Sequence, residues 1–250
     1  MGKSNQSTQE INSQAQNPLG TAPVGGLIAK FAIPAIISML VSAMYNIVDQ
    51  IFIGQGVGML GNAATNVAFP VTTIATALAL LLGIGGASNY NLEMGAGQEK
   101  KASGIAGTAL SSLVISGLIL AVIALVFLKP LLTLFGATTD VMPYAVDYTG
   151  ITALGLPFYI LSVGGNHVVR ADRSPTYSMT CIMIGAIINT ILDPVFIFVF
   201  GWGIKGAAWA TVIGQVVSGV LVIVYFWKFR NMYLTGAMLK PKMPYLKAII

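Results

Sequence analysis

Charge is what this sequence most lacks: Asp, Glu, Lys and Arg together make up 8% of its 250 residues, against about 25% in soluble proteins. With 56% apolar residues and a mean hydropathy of +0.81, there is too little polar surface to face water, and the chain reads as an integral membrane protein. Cysteine occurs once, at Cys181 in an apolar run, which excludes an intramolecular disulfide and a cysteine-built metal or redox centre. Histidine also occurs once, at His167, and no HExxH, GxSxG or CxxC pattern is present. The usual signatures of metalloprotease, acyl-transfer and thiol chemistry are therefore missing. The expectation is a protein that is not an enzyme and carries no cofactor. Its net charge of +5 comes from 13 Lys and Arg scattered over loops, so no basic face for nucleic acid is expected.

What the chain does have is long apolar runs. Residues 1–26 are rich in Gln, Asn, Ser and Gly with no apolar stretch after a basic start, the composition of a disordered tail rather than of a signal peptide. Beyond them, six runs are long enough to cross about 30 Å of hydrocarbon at roughly 1.5 Å per residue. They are placed at 27–53, 64–90, 103–128, 142–169, 176–200 and 205–228, with polar breaks between them and a linker at 229–250. The expected fold class is all-α: a polytopic membrane protein with a six-helix transmembrane unit over 27–228. Of its 13 Lys and Arg, all but Lys129 and Lys205 then fall on one side. Positive loops stay in the cytoplasm, so both termini are placed there, and the protein in the cell (inner) membrane.

Only two acids lie well inside the apolar spans, Asp49 in the first and Asp193 in the fifth. A charge at mid-membrane costs about 2.5 to 3.5 kcal/mol on insertion scales, which makes such a residue a candidate functional group. Both spans run outward, so Asp49 and Asp193 lie about 4 and 7 residues below the outer ends, roughly 6 and 10 Å deep. Tyr148 in the fourth span and Thr211 in the sixth fall in the same layer. Asn189 lies one turn from Asp193 on the same helix face. Pro194 frees the carbonyl of Thr190, because proline has no N–H to give it. Carboxylates beside such oxygens suit a hard cation or a carried proton. The plainer reading is that the two aspartates hydrogen-bond neighbouring helices and set their packing.

Other polar residues are read more modestly. Asp140 is expected to cap the fourth span, preceding Val141-Met142-Pro143. Glu93, Glu99 and Asp172 are read as solvated acids in loops beside basic residues, Asp147 as a lumen or interfacial group, and His167 as a packing or interfacial residue. The 11 methionines are assigned to core or lipid-facing positions, and their softness also suits a promiscuous apolar cavity.

Several of these stretches resemble the multidrug and toxic compound extrusion (MATE) transporters. Asn189-Thr190-Ile191-Leu192-Asp193-Pro194-Val195-Phe196-Ile197-Phe198 resembles that family's fifth-helix motif, and Gly203-Ile204-Lys205-Gly206-Ala207-Ala208-Trp209-Ala210-Thr211-Val212-Ile213-Gly214-Gln215 its sixth-helix motif. Met94-Gly95-Ala96-Gly97-Gln98-Glu99-Lys100-Lys101-Ala102 and Arg170-Ala171-Asp172-Arg173-Ser174-Pro175 are similar to its loops after the second and fourth helices. The resemblance, from about residue 27 onward, implies an antiporter that expels organic cations and amphipathic compounds in exchange for Na+ or H+ across the lipid bilayer. It implies a cation site on Asp49, Asp193, Asn189, Tyr148 and Thr211. It also implies twelve helices in two six-helix lobes. This chain offers one lobe and stops at Lys247-Ala248-Ile249-Ile250, where the resemblance leads into a second, so a truncated chain is expected, the alternative being a parallel dimer of half-length chains.

Competing readings are a flippase for lipid-linked saccharides, an intramembrane aspartyl enzyme and a non-transporting membrane subunit. The flippase calls for cationic residues facing its cavity. The spans hold almost none, which favours cationic or neutral cargo. The enzyme calls for a GxGD pattern, which neither aspartate has.

Overall fold

The computed structural model describes residues 23–227 and 241–250. Most of the expected tail and the first part of the linker lie outside the described residues. Without water to satisfy amide groups in hydrocarbon, an apolar run closes its backbone bonds internally as a helix, and eight helices follow in chain order among the described residues. They are α1 (Val24–Gly56), α2 (Met59–Gly95), α3 (Glu99–Val126), α4 (Leu128–Leu134), α5 (Met142–Ala171), α6 (Pro175–Pro194), α7 (Ile204–Trp227) and α8 (Met243–Ile249). A π-helical turn, Val195–Val199, extends α6 beyond Pro194. The six spans are α1, α2, α3, α5, α6 and α7, each long and apolar enough to cross a membrane.

The helices overrun the expected boundaries. The break between the first two spans shrinks to Val57 and Gly58, where Gly58 at φ 87° takes a turn open to glycine. The break at Lys129 to Val141 contains α4. Polar side chains past the hydrocarbon edge do not end a helix, because its backbone bonds continue into water. Asp140 does not cap α5: Val141 holds the N-cap position and no side chain bonds the first turn.

Helix α5 is the hub, packed against α2, α3, α6 and α7, while α1 packs chiefly on α6. Hydrophobic burial gives no drive between helices in lipid, so close approach and hydrogen bonds hold them. Accordingly the core is built from small residues such as Ala75, Ala79, Ala109 and Ala153 around Leu113 and Ile160. At the α6–α7 crossing a Cβ on Gly185 would lie 2.9 Å from the Gly214 carbonyl oxygen, and one on Gly214 2.8 Å from that of Gly185. No side chain fits there.

At the lysine- and arginine-rich end, Asp172 corrects the sequence reading. It is not solvated but 1% exposed, accepting hydrogen bonds from Tyr90 Oη at 2.9 Å and Tyr225 Oη at 2.7 Å. It thereby ties α2 and α7 to the turn between α5 and α6. Sequence distance hid both tyrosines. Glu93 pairs with Lys101 at 2.7 Å, and Asp147 with Lys205 at 3.3 Å at the other end. Helix α8 folds back on α2 and α3, with Asn89 Nδ2 donating to the Ala248 carbonyl at 2.8 Å and Ile249 buried in the core.

Candidate functional site

The outward-running helices α1 and α6 pack together and bring Asp49 and Asp193 face to face. Asp49 is 7% and Asp193 0% exposed. Their carboxyl groups lie within hydrogen-bonding reach of each other. Both are acceptors when ionised, so the contact becomes a bond only when one carries a proton or both share a cation. Asn189 is buried one turn back on α6, and its Nδ2 donates to Asp193 Oδ1 over 3.5 Å. Tyr148 of α5 neighbours Thr211 of α7 and lies near enough to both aspartates to feel their charge. All five residues singled out in the sequence therefore meet in one cluster.

Two neighbours went unnoticed in the sequence. Tyr45, one turn before Asp49 on α1, faces the same pair, and the i, i+4 spacing was the signal available. Gln50, next to Asp49 in the chain, adds to the field at its carboxyl, while its Oε1 accepts from Thr65 Oγ1 of α2 at 3.1 Å. Nothing in the sequence marks that tie.

Asp49 Oδ1, Asp193 Oδ2 and Asn189 Oδ1 are buried without a hydrogen-bond partner among the described residues. An orphaned buried acceptor is costly, and three together fit a ligand that brings positive charge. Among the described residues no three His, Cys, Asp or Glu side chains gather. The donor set is thus two carboxylates with neutral oxygens, suited to a hard monovalent cation or a proton rather than to zinc or copper.

A cavity of about 440 Å³ extends from this cluster toward the basic end. Asn189 and Thr211 belong to both. From α5 it is lined by Tyr159, Ser162, Val163, Asn166, His167 and Arg170. Those positions follow the helical repeat i, i+3, i+4, i+7, i+8, i+11, so one stripe of α5 faces the cavity. This corrects one reading: Arg170 is no loop cation but lies half-buried in the cavity wall, and His167, read as a packing or interfacial residue, stands half-buried beside it. The stripe was legible as periodicity but was masked by the glycines and valines around it.

The MatE family model matches residues 34–195. The multidrug export protein MepA of Staphylococcus haemolyticus is 31% identical over 196 residues, 78% of this chain and 43% of its own length. An FAD transporter of Shewanella oneidensis is 33% identical over 215 residues, 82% of this chain and 47% of its own. The outward-facing structure of a multidrug resistance MATE family transporter superposes with a TM-score of 0.81 at 28% identity, covering 89% of this chain and 49% of that one. The chain thus spans about half the length of the relatives it matches. The six-span fold, the motifs on α6 and α7 and these likenesses agree: the chain belongs to the MATE family of membrane transporters.

Proposed function

We propose that this chain forms the ion-coupled half of an exporter that moves amphipathic organic compounds, organic cations among them, in exchange for Na+ or H+. The observation that carries the reading is the meeting of Asp49 and Asp193 at one end of a cavity large enough for a drug-sized molecule. The exchanging ion enters from the outer side and binds between the two carboxylates, with Asn189, Tyr148 and Thr211 offering neutral oxygens. Its charge cancels part of the negative field at the cavity mouth. Cargo that shares this wall at Asn189 and Thr211 then binds less well, and leaves. Cavity exposure alternates as a second six-helix lobe, from a longer chain or a partner, rocks against this one.

Thermal unfolding of the purified protein tests the ion site, because a ligand that binds only the folded state stabilises it by RT ln(1 + [L]/Kd), about 2.7 kcal/mol at 100 Kd. At constant ionic strength, Na+ is expected to raise the midpoint, with the shift lost in both Asp49→Asn and Asp193→Asn. A pH response without a Na+ shift assigns the site to protons. A Na+ shift that survives both substitutions removes the assignment. In proteoliposomes of the whole transporter, Asp193→Asn is expected to abolish ion-driven efflux, and normal efflux with normal ion dependence refutes its role.

A second reading, transport of acidic rather than cationic cargo, is favoured by one observation. Arg170 and His167 line the cavity end opposite the aspartates, and a relative of this chain is an FAD transporter.

A further inference from the structure

The inference rests on the transport reading above and deepens it. Arg170 lies in the last turn of α5, where a cation is favoured by the helix dipole. The dipole explains its place but not its bonding. Its Nε donates to Ser178 Oγ at 3.0 Å, and its remaining N–H groups have no acceptor among the described residues. No carboxylate pairs with it there either: the two ion pairs involve other residues, and Asp172, close in sequence, accepts from Tyr90 and Tyr225. His167 lies close enough for the charge of Arg170 to act on it. With no carboxylate partner among the described residues, this half-buried guanidinium at the cavity end keeps N–H donors for an anion.

A second, independent feature faces the same space. Asn166 is 1% exposed and lines the cavity. Its Nδ2 donates to the Ser162 carbonyl at 2.8 Å, leaving Oδ1 buried without a partner. On α7, Gln215 also lines the cavity, but its orphaned Oε1 packs against Gly155 of α5. The cavity therefore presents a planar cation at its basic end, with the amide of Asn166 in the adjoining wall. From Tyr159 to Arg170 the lined stripe of α5 is roughly 16 Å long at helical rise.

We propose that the basic end of this cavity is an acid-binding subsite in which Arg170, flanked by His167, takes the phosphate or carboxylate of an amphipathic cargo. The forked guanidinium matches either group in two parallel hydrogen bonds, and Asn166 accepts an N–H or O–H from the body of the cargo. Cargo of this class carries an acid at one end and a donor-bearing ring system along its length. A neutral analogue without the acid binds the same cavity more weakly.

The test compares riboflavin 5′-phosphate with riboflavin, read by flavin fluorescence on the purified protein in nanodiscs of phosphatidylcholine alone. The phosphate is expected to improve affinity about tenfold, the gain of a charge-assisted bond pair. Arg170→Gln is expected to abolish that advantage while riboflavin binding changes by less than about threefold, and Arg170→Lys to retain part of it. Asn166→Ala is expected to weaken both compounds alike. Equal affinities in the unaltered protein, or an advantage that survives Arg170→Gln, overturn the subsite. If the advantage disappears in nanodiscs containing phosphatidylglycerol and Arg170→Gln shows no such competition, Arg170 holds a lipid headgroup and the cargo assignment falls. Binding of tetraphenylphosphonium but of neither flavin also overturns the subsite while leaving the transport reading intact. Proteoliposomes of the whole transporter that move none of the three compounds overturn the transport reading itself.

Discussion

Asp172 and the Asp49–Asp193 pair show how one residue type takes two roles by virtue of its donors. Asp172 has tyrosine hydroxyls on both oxygens, at 2.9 and 2.7 Å, and so holds its charge with bonds that the protein itself supplies. Asp49 and Asp193 face each other with oxygens left over. The first arrangement is a structural tie, and the second keeps buried acceptors that the proposed ion would satisfy. Tyr225→Phe removes one of the bonds to Asp172, and hydrogen bonds to charged groups contribute about 1.5 to 3 kcal/mol. We expect a destabilisation of that size in thermal unfolding of the detergent-solubilised protein, with no change in the response to Na+. A lost Na+ response would place Asp172 in the ion site after all.

At the level of helices, the site depends on how closely α6 and α7 approach. Asn189 lies one turn beyond Gly185, and Thr211 just before Gly214, so the glycine contact sets the separation of the two groups. A side chain at either glycine meets backbone of the other helix within 3 Å. Gly214→Leu must therefore push α7 away from α6, at about 1 to 3 kcal/mol for overpacking. The expected outcome is a lower unfolding midpoint together with a lost Na+ shift, because Thr211 leaves the layer of the aspartates. Retention of the shift at unchanged affinity would mean that the crossing does not position the site. Helix α5 adds a different lesson. Its stripe from Tyr159 to Arg170 carries Tyr159, Ser162, Asn166, His167 and Arg170 alongside Val163 toward the cavity, while on its other faces Gly164 and Ile160 pack into neighbours.

Across the whole molecule, the outward faces of the spans are apolar. On α3, Leu118, Ile119 and Val122 are 52, 54 and 59% exposed, while the facing side buries Leu113 and Ala109. With hydrocarbon around it, such a belt is the solvated surface. A charge at mid-membrane on that face costs roughly 2.5 to 3.5 kcal/mol on insertion scales. Ile119→Lys is expected to reduce membrane insertion of the third span by that amount in a translocation assay, whereas Ile119→Leu is neutral. Undiminished insertion of the lysine variant would show that this face does not meet lipid. The face of α1 bearing Ile36, Leu40, Met44 and Ile47 is likewise exposed.

Charge scarcity, six apolar runs and the one-sided spread of Lys and Arg were enough to determine a six-span membrane protein, because length and hydropathy are properties of each segment by itself. A shared depth for Asp49, Asp193, Asn189, Tyr148 and Thr211 is an expectation of the same kind, since it comes from counting residues along a helix of known rise. What counting cannot supply is which helix faces meet. The approach of Asp49 to Asp193 depends on α1 packing against α6, and the burial of Asp172 on tyrosines 82 and 53 residues away in the chain. Asp140 was misread as a cap for the opposite reason, since a cap depends on one hydrogen bond and not on residue type. The cavity wall, and with it Arg170 turned inward rather than into a loop, was decided only by tertiary structure, because enclosure is a property of several helices at once.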